Sequence, residues 1–207
     1  MYTSGEAHGT GTSSLIKTNV DKFYADKLAS YSSKIDTEVG FCGDRSTLNL
    51  QSGVGTGTIT TYNKAHFRVE KNLPTLTCED IKDYYTVSSA SIGNQALIYP
   101  IGLITADEAI YAGHAGDVSD NHYNHSQFNK KSYLITGSWF WTMTPVGGYN
   151  PFGITYWHTY VFGIGGSGVN AADHVTNSAS GLRPVINIRS DVTITGSGTM
   201  TDPYVVS

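Results

Sequence analysis

The sequence between residues 139 and 164 constrains the fold more than any other part of the chain. It contains two runs that alternate like strands, WFWTMTP and TYVFGI, on either side of the Gly- and Pro-containing segment PVGGYNPFGITYWH. Side chains alternate faces along a strand, so Trp139 and Trp141 share one face and Phe140 takes the other. At least one of these faces must be core. The two runs predict strands of an antiparallel sheet, with a loop between them.

Two helices are predicted in the first half of the chain. In residues 13–35, mainly apolar side chains recur every three or four positions, and Ser13 or Ser14 can cap the start. This pattern indicates an amphipathic helix. The predicted face consists of Ile16, Val20, Phe23, Lys27, Leu28, Tyr31 and Ile35. Residues 97–113 read as a buried strand running into a helix, which a capping box between Thr105 and Glu108 starts and Gly113 stops.

The remaining segments favour strands and loops. The second half of LNLQSGVGTGTITTYNKAHFRV alternates like a strand, and residues 113–131 form a polar loop. From Ser132 onward the pattern predicts strands only, separated by Gly, Asn and Pro turns. GIGGSG at residues 163–168 matches a dinucleotide-binding pattern, but a poor helix former follows it and Ile188 stands where an acidic residue is needed, so we interpret it as a hairpin turn.

Composition narrows the class of protein. Charged residues make up 14% of the chain, against roughly 25% in ordinary soluble domains, and the net charge is −4. Without a basic run, nucleic acid is not an expected partner, and without a long apolar run, neither is direct membrane insertion. Residues 1–14 lack the basic start and the apolar centre of a signal peptide. We therefore expect a flexible segment at 1–12, internal to a longer exported chain, and a single domain at 13–207.

The sequence only weakly indicates a disulfide, a metal site or a catalytic nucleophile. Cys42 and Cys78 are compatible with one disulfide, two buried thiols being the alternative. Asp117, Asp120, His122 and His125 lie within nine residues, but exposed polar residues explain them as well as a metal site does. Ser167 lacks the second glycine of a nucleophile elbow, since Val169 follows it. We therefore predict no catalytic residue, no metal and no cofactor.

The ring-rich loop is the strongest candidate for binding. Nine aromatic residues lie between positions 139 and 162, and a loop cannot bury all of those it carries. Aromatic rings beside Asn and His are typical of surfaces that bind sugars or proteins. The alternative is that two or three rings pin the loop onto the core. The candidate ligand-binding residues are Tyr149, Asn150, Phe152, Tyr156, Trp157 and His158, with His122, Tyr123 and Asn124 alongside.

Several phrases together resemble a known group of sequences. These are FCGDRS, LIYPIGLITADEA, YLITGSWFWTMTP, GLRPVINI and GTMTDPYVV, in this order. They resemble the DUF6273-type modules in secreted or surface proteins of Gram-positive gut bacteria, and are similar to the C-type-lectin-like fold of the formylglycine-generating-enzyme branch. The resemblance covers residues 13–206. It implies an α+β domain with antiparallel sheets, two main helices and long loops.

The resemblance also implies roles for particular residues. Trp139, Trp141, Pro145, Gly181, Arg183 and Pro184 would be scaffold, with Arg183 fixed by buried hydrogen bonds. A disulfide between Cys42 and Cys78 fits an exported module. The formylglycine-generating branch oxidises with late cysteines, and no Cys follows Cys78 here, so that chemistry is not expected. The calcium-ligand motifs of sugar-binding lectins are also missing.

These observations leave several functions open. The leading expectation is a non-enzymatic, extracellular or cell-surface module that binds a glycan or protein on a host or neighbouring cell through the 146–160 loop. The same fold branch includes the variable ligand-binding proteins of diversity-generating retroelements. The residues here that have the types of such a surface are Tyr149, Asn150, Tyr156, Trp157, His158 and Asn170. Two more functions stay open: a related enzyme with altered chemistry at residues 117–125, and a purely structural spacer.

Overall fold

The computed structural model of the protein describes residues 14–46, 61–113, 116–117, 134, 138–149, 158–165, 168–174, 181–199 and 201–207. These residues form a mixed α+β structure with small sheets that are mainly antiparallel. Predictions that fall on the other residues, including the flexible segment at 1–12, lie outside the described part of the chain.

Within the described residues, the three α-helices all precede the three longest strands. The helices are α1 (Leu15–Phe23), α2 (Lys64–Lys71) and α3 (Ala106–Tyr111). The strands are β1 (Phe41–Cys42), β2 (Thr61–Tyr62), β3 (Tyr84–Tyr85), β4 (Gly102–Leu103), β5 (Gly116–Asp117), β6 (Phe140–Tyr149), β7 (His158–Gly165), β8 (Gly168–His174), β9 (Pro184–Val185), β10 (Ile194–Thr195) and β11 (Val205–Val206).

The first predicted helix is confirmed, with a narrower buried face. The Ser14 side chain caps α1 by accepting from the backbone N–H of Lys17 at 3.1 Å. The helix continues through a π-helical segment, Tyr24–Leu28, and a 3₁₀ segment, Ala29–Lys34. Val20 and Tyr24 are buried, whereas three residues of the predicted face are exposed, namely Phe23, Lys27 and Tyr31.

The sequence prediction for α2 was wrong. Residues 59–69 were expected to be a strand, but only Thr61–Tyr62 is extended and a helix begins at Lys64. Ala65 and Val69, one helical turn apart, are both fully buried. The fold therefore contains a third helix beside the two that the sequence predicts.

The helix α3 begins as its sequence predicts. The Thr105 side chain accepts from the backbone N–H of Glu108, and the Glu108 side chain accepts from the backbone N–H of Thr105 at 2.7 Å. The Ala106 N–H donates to Thr144 Oγ1 at 2.9 Å, which fixes the start of α3 against β6. Gly113, at the end of the helix, has a φ of +93° that suits glycine.

A five-stranded sheet forms the centre of the described structure. Its strand order is β2-β6-β7-β8-β5, and every pair is antiparallel except β5 with β8. Gly165 pairs with Gly168 at one end of the β7–β8 hairpin. The hairpin interpretation of GIGGSG is therefore confirmed, since the sequence after it forms β8 instead of a helix.

Strand β6 is buried on both of its faces. Phe140, 2% exposed, packs with Ala65, Val69 and Ala109 of α2 and α3. Trp141, 3% exposed, packs on the other side with a cluster that contains Val20, Tyr24, Ile35, Ile101 and Leu103. The sheet thus lies between α2 and α3 on one side and the α1 region on the other.

Backbone contacts join the end of the first helical region to residues 187–189. Ile35 forms a bridge with Ile188, and the N–H of Asp36 donates to the carbonyl of Asn187 at 2.8 Å. Lys34 accepts through its carbonyl from the N–H of Arg189 at 3.0 Å. The end of the first helical region and the C-terminal segment therefore belong to one folded unit.

Candidate functional site

The predicted disulfide is confirmed. Cys42 and Cys78 are bonded, with their Cα atoms 5.6 Å apart and a sequence separation of 36. The bond joins β1 to the segment that follows α2. Asp44 and Arg45, which follow Cys42 in the FCGDRS motif, also make contacts that hold this part of the fold together.

A buried charged cluster lies next to this disulfide. Arg68 of α2 donates from Nε to Asp107 Oδ1 at 3.0 Å and from Nη2 to Asp107 Oδ2 at 2.9 Å, which is a bidentate contact. Nη2 of the same guanidinium also bonds Asp44. The Thr75 N–H donates to Asp107 Oδ1 at 2.9 Å. Arg68 therefore connects the segment after β1 with α2 and α3, and Asp107 connects α3 with the segment before Cys78.

Burial sets the protonation behaviour of this cluster. Burial raises the pKa of Asp44, because desolvation of its carboxylate outweighs the opposing charge of Arg68. Burial alone would lower the pKa of Arg68, but the hydrogen bonds that Arg68 donates to Asp107 and Asp44 and the charges of these carboxylates outweigh burial, so that pKa is raised. Arg68 therefore stays charged and holds both carboxylates.

The neighbouring Arg45 makes a second buried contact. It donates from Nε to Asp83 Oδ1 at 2.6 Å and from its backbone N–H to Asp83 Oδ2 at 2.8 Å. Its guanidinium lies 5.7 Å from the centroid of the Tyr85 ring. The Arg45 carbonyl accepts from Asn63 Nδ2 at 2.8 Å, which ties this segment to the start of α2. Sequence reasoning missed both clusters; charged residues beside Cys42 in a chain of low charge were the available signal.

The scaffold residues taken from the resemblance occupy different environments. Arg183 donates from Nη1 to the Leu134 carbonyl at 2.7 Å, and its guanidinium lies 4.0 Å from the centroid of the Phe140 ring. Pro184 pairs with Leu103 in the β4–β9 ladder. Trp141 is in the core, but Trp139 is 43% exposed, so the expectation that both tryptophans serve as core is corrected for Trp139.

The ring-rich loop is shorter than the sequence indicates. Strand β6 continues through Pro145, Gly147 and Gly148 to Tyr149, and β7 begins at His158. Tyr149 pairs directly with His158 at the last rung of this ladder. Only residues 150–157 separate the two strands. The structure therefore places two of the predicted ligand-binding residues opposite each other at the end of the sheet.

The remaining predicted site residues lie outside the described part of the chain. They are His122, Tyr123, Asn124, Asn150, Phe152, Tyr156 and Trp157. Of the candidate enzyme site at residues 117–125, the structure describes Asp117, which pairs with Asn170. Within the described ranges, no group of three or more His, Cys, Asp or Glu residues could hold a metal ion.

Further strand ends lie at the same end of the sheet as Tyr149 and His158. Thr61, the first residue of β2, pairs with Gly148. His174, the last residue of β8, pairs with Tyr160. One terminus each of β2, β6, β7 and β8 thus lies at the same end of the sheet. We call this end the strand-end surface and define it by Thr61, Tyr149, His158 and His174.

Comparisons with known proteins identify no relative. A scan against protein-family models finds no match, and searches of the curated proteins and of the solved structures find none either. The resemblance to DUF6273-type modules therefore stays a prediction from the sequence phrases. None of the helices in the described ranges has the length and apolar character needed to cross a membrane.

Proposed function

We propose that the protein is a non-enzymatic ligand-binding module that recognises a glycan or a protein at its strand-end surface. The observation that carries the proposal is the pairing of Tyr149 with His158. The intervening sequence, NPFGITYW, contains Phe152, Tyr156 and Trp157 and connects two adjacent strand ends. Rings grouped on a short connection supply contact area at a small entropic cost.

The rigidity of the scaffold supports this proposal. Strands β6 and β7 are central in the sheet, and β6 packs against core on both faces. Binding residues on a rigid scaffold lose less freedom when a ligand is bound. The charged groups of the buried Asp44–Arg68–Asp107 cluster bind one another, which favours a structural role for the cluster over a catalytic one.

We further propose the C-type-lectin-like fold and an extracellular or cell-surface location. Support for the fold comes from helices that pack on a mainly antiparallel sheet and from the bridge between Ile35, at the end of the first helical region, and Ile188. Support for the location comes from the disulfide, because such bonds persist in oxidising compartments. An experimental structure and cell fractionation with an antibody test these two points.

Binding is tested on arrays that carry glycans and surface proteins. The wild type and Tyr156→Ala/Trp157→Ala are compared with a matched control, Phe23→Ala/Tyr31→Ala, which removes two exposed rings from the first helical region. We expect wild type and control to bind the same ligand and the loop variant to lose it. Equal binding by all three proteins, or no binding by any, contradicts the proposal and favours a structural spacer.

A further inference from the structure

Tyr24 and Tyr99 stack on each other, although they are far apart in the sequence. Their ring centroids lie 4.9 Å apart, and the angle between the ring planes is 19°. Aromatic rings in contact have centroids about 4.5–7 Å apart, so this pair lies near the close end of that range. Tyr24 belongs to the first helical region and Tyr99 to the segment before β4. The fold therefore holds two phenols against each other from distant parts of the chain.

Tyr24 is fixed at the point where α1 changes into the π-helical segment. The Ala29 N–H donates to the Tyr24 carbonyl, which is the five-residue step of a π-helix. The Tyr24 side chain is 5% exposed and packs in the cluster that contains Val20, Ile101 and Trp141. Short π-helical turns next to α-helices occur frequently at functional sites. Tyr24 therefore combines an unusual backbone with a shielded ring.

Tyr99 is held as firmly as Tyr24 but is less shielded. Pro100 follows it, and the Ile101 N–H donates to the Tyr99 carbonyl at 2.8 Å, so the backbone turns tightly here. Tyr99 is partly buried, whereas its neighbour Ile98 is 73% exposed. A reagent in solution therefore reaches Tyr99 more readily than it reaches Tyr24.

The environment of Tyr24 also favours chemistry within one chain. Burial raises the pKa of Tyr24, and the charge of Tyr99 adds to this effect, so Tyr24 stays a neutral phenol in neutral solution. A radical formed on either ring of the pair is in direct contact with the other ring. A radical on an exposed tyrosine meets other molecules instead. Exposed tyrosines among the described residues include Tyr31, Tyr111 and Tyr204.

We propose that Tyr24 and Tyr99 form an oxidative cross-linking site, which a haem peroxidase acting with hydrogen peroxide converts to dityrosine. Each phenol loses one electron and its hydroxyl proton, which gives two phenoxyl radicals. The radicals join through ring carbons ortho to the oxygens. The hydrogens on these two carbons then move to the oxygens, so both phenols are restored. Hydrogen peroxide takes up the two electrons and the two protons and becomes two molecules of water.

The cross-link fixes a part of the chain that the disulfide does not enclose. Cys42 and Cys78 close a loop over residues 43–77, and the first helical region lies outside it. Backbone contacts such as the Ile35–Ile188 bridge hold that region to the rest of the fold. A covalent bond between distant residues stabilises a protein by restricting its unfolded chain. The oxidised protein should therefore resist unfolding better, whether or not the strand-end surface binds a ligand.

The test treats dilute protein with a haem peroxidase and hydrogen peroxide and then separates monomer from covalent dimer. We expect the wild-type monomer to acquire dityrosine fluorescence. Peptide mapping should find the peptides of Tyr24 and Tyr99 joined with the loss of two hydrogen atoms. Tyr24→Phe and Tyr99→Phe keep the ring but remove the phenol, so each should lose the monomer fluorescence. Tyr31→Phe is the matched control, because Tyr31 is an exposed tyrosine of the same helical region, and it should keep that fluorescence.

The position of the cross-link decides the outcome, because the chain contains 14 tyrosines. No dityrosine, dityrosine confined to covalent dimers, or a monomer link between other tyrosines overturns the proposal. Unchanged monomer fluorescence in Tyr24→Phe and Tyr99→Phe overturns it as well. If circular dichroism shows that one variant does not fold, the other variant and the wild-type peptide map decide.

Unfolding in urea provides a second measurement. The cross-linked wild-type monomer should unfold at a higher urea concentration than the untreated wild type. Tyr99→Phe given the same peroxidase treatment should show no such shift, which separates the effect of the link from oxidation elsewhere in the chain. Equal midpoints for cross-linked and untreated wild type contradict the stabilising effect of the link.

Discussion

Arg68 is the residue on which the charged interior of the protein depends. It balances two carboxylates, Asp44 and Asp107, that are 7% and 3% exposed. Burying a charge is costly unless it is paired and hydrogen-bonded, and the guanidinium supplies both kinds of contact at once. Lysine could not replace it, because a point charge lacks the fork that binds Asp107 through two atoms.

Replacing Arg68 should destabilise the protein strongly. In Arg68→Leu the two buried aspartates lose their counter-ion, and removal of one partner from a buried ion pair costs about 3–5 kcal/mol. Urea unfolding followed by circular dichroism measures the change in the free energy of unfolding. Arg189→Leu is the control, since Arg189 pairs with Asp191 on the surface and should change little. Similar stability of the two variants would show that Arg68 is not central.

The raised pKa of Asp44 predicts a pH dependence. A carboxyl whose pKa is higher in the folded than in the unfolded state binds more protons when folded, so its contribution to stability falls as pH rises between those two values. Asp44→Asn lacks this contribution. As pH increases from about 3.9, the ordinary Asp pKa, through the raised pKa, the wild type should lose free energy of unfolding that Asp44→Asn does not lose. The difference in stability should therefore shift in favour of Asp44→Asn. Unfolding of both proteins over a pH series tests the sign, and the opposite slope contradicts it.

At the level of elements, local signals in the sequence were reliable and long-range ones were not. The capping box at Thr105 and the Ser14 cap predict where α3 and α1 begin, because the capping contacts span only three residues. The alternating pattern of residues 59–69 was misleading, because most of these residues belong to α2. Ala65 and Val69 are small residues among polar ones, and their burial depends on packing against α3 and β6.

The bounds of the candidate site also depend on long-range contacts that local sequence does not predict. Gly147 and Gly148 indicate a loop by composition, but pairing with Tyr160 and Thr159 keeps them in β6. The Asp44–Arg68–Asp107 cluster joins residues 24 and 39 positions apart, which no local pattern encodes. Composition does locate the rings that lead us to the strand-end surface, since all three tryptophans fall in one short region.

Thr105→Ala tests how much the cap contributes to α3. The substitution leaves the Glu108 N–H without its side-chain partner and should lower the free energy of unfolding by about 1 kcal/mol. Chemical unfolding measures this loss. Thr77→Ala, at an exposed position, serves as the control. An unchanged stability for Thr105→Ala would mean that contacts from β6 alone position the helix.

The whole molecule is held by contacts between distant parts of the chain. The disulfide closes a 36-residue separation, the Arg68 cluster joins α2 to α3, and the Ile35–Ile188 bridge joins the first helical region to the C-terminal segment. These contacts surround β6, which packs on both faces. The proposed strand-end surface therefore lies at the end of a strand that packs against two core clusters.

Removal of the disulfide tests this arrangement. Cys42→Ala/Cys78→Ala should lower the free energy of unfolding by about 3–4 kcal/mol through the entropy of the unfolded chain. Denaturant unfolding of the wild type, with and without a reducing agent, gives the same comparison without a mutation. A loss confined to the reduced wild type and absent from the double variant would contradict this explanation, because both lack the cross-link.

The most direct test of the central claim is an NMR titration of the isotope-labelled protein with the ligand that the arrays identify. Ligand bound at the strand-end surface should produce the largest backbone shifts at Gly148, Tyr149, His158 and Thr159, and these shifts should disappear in Tyr156→Ala/Trp157→Ala. Largest shifts in the first helical region or at β10 and β11, unaffected by that variant, would show that the strand-end surface is not the binding site.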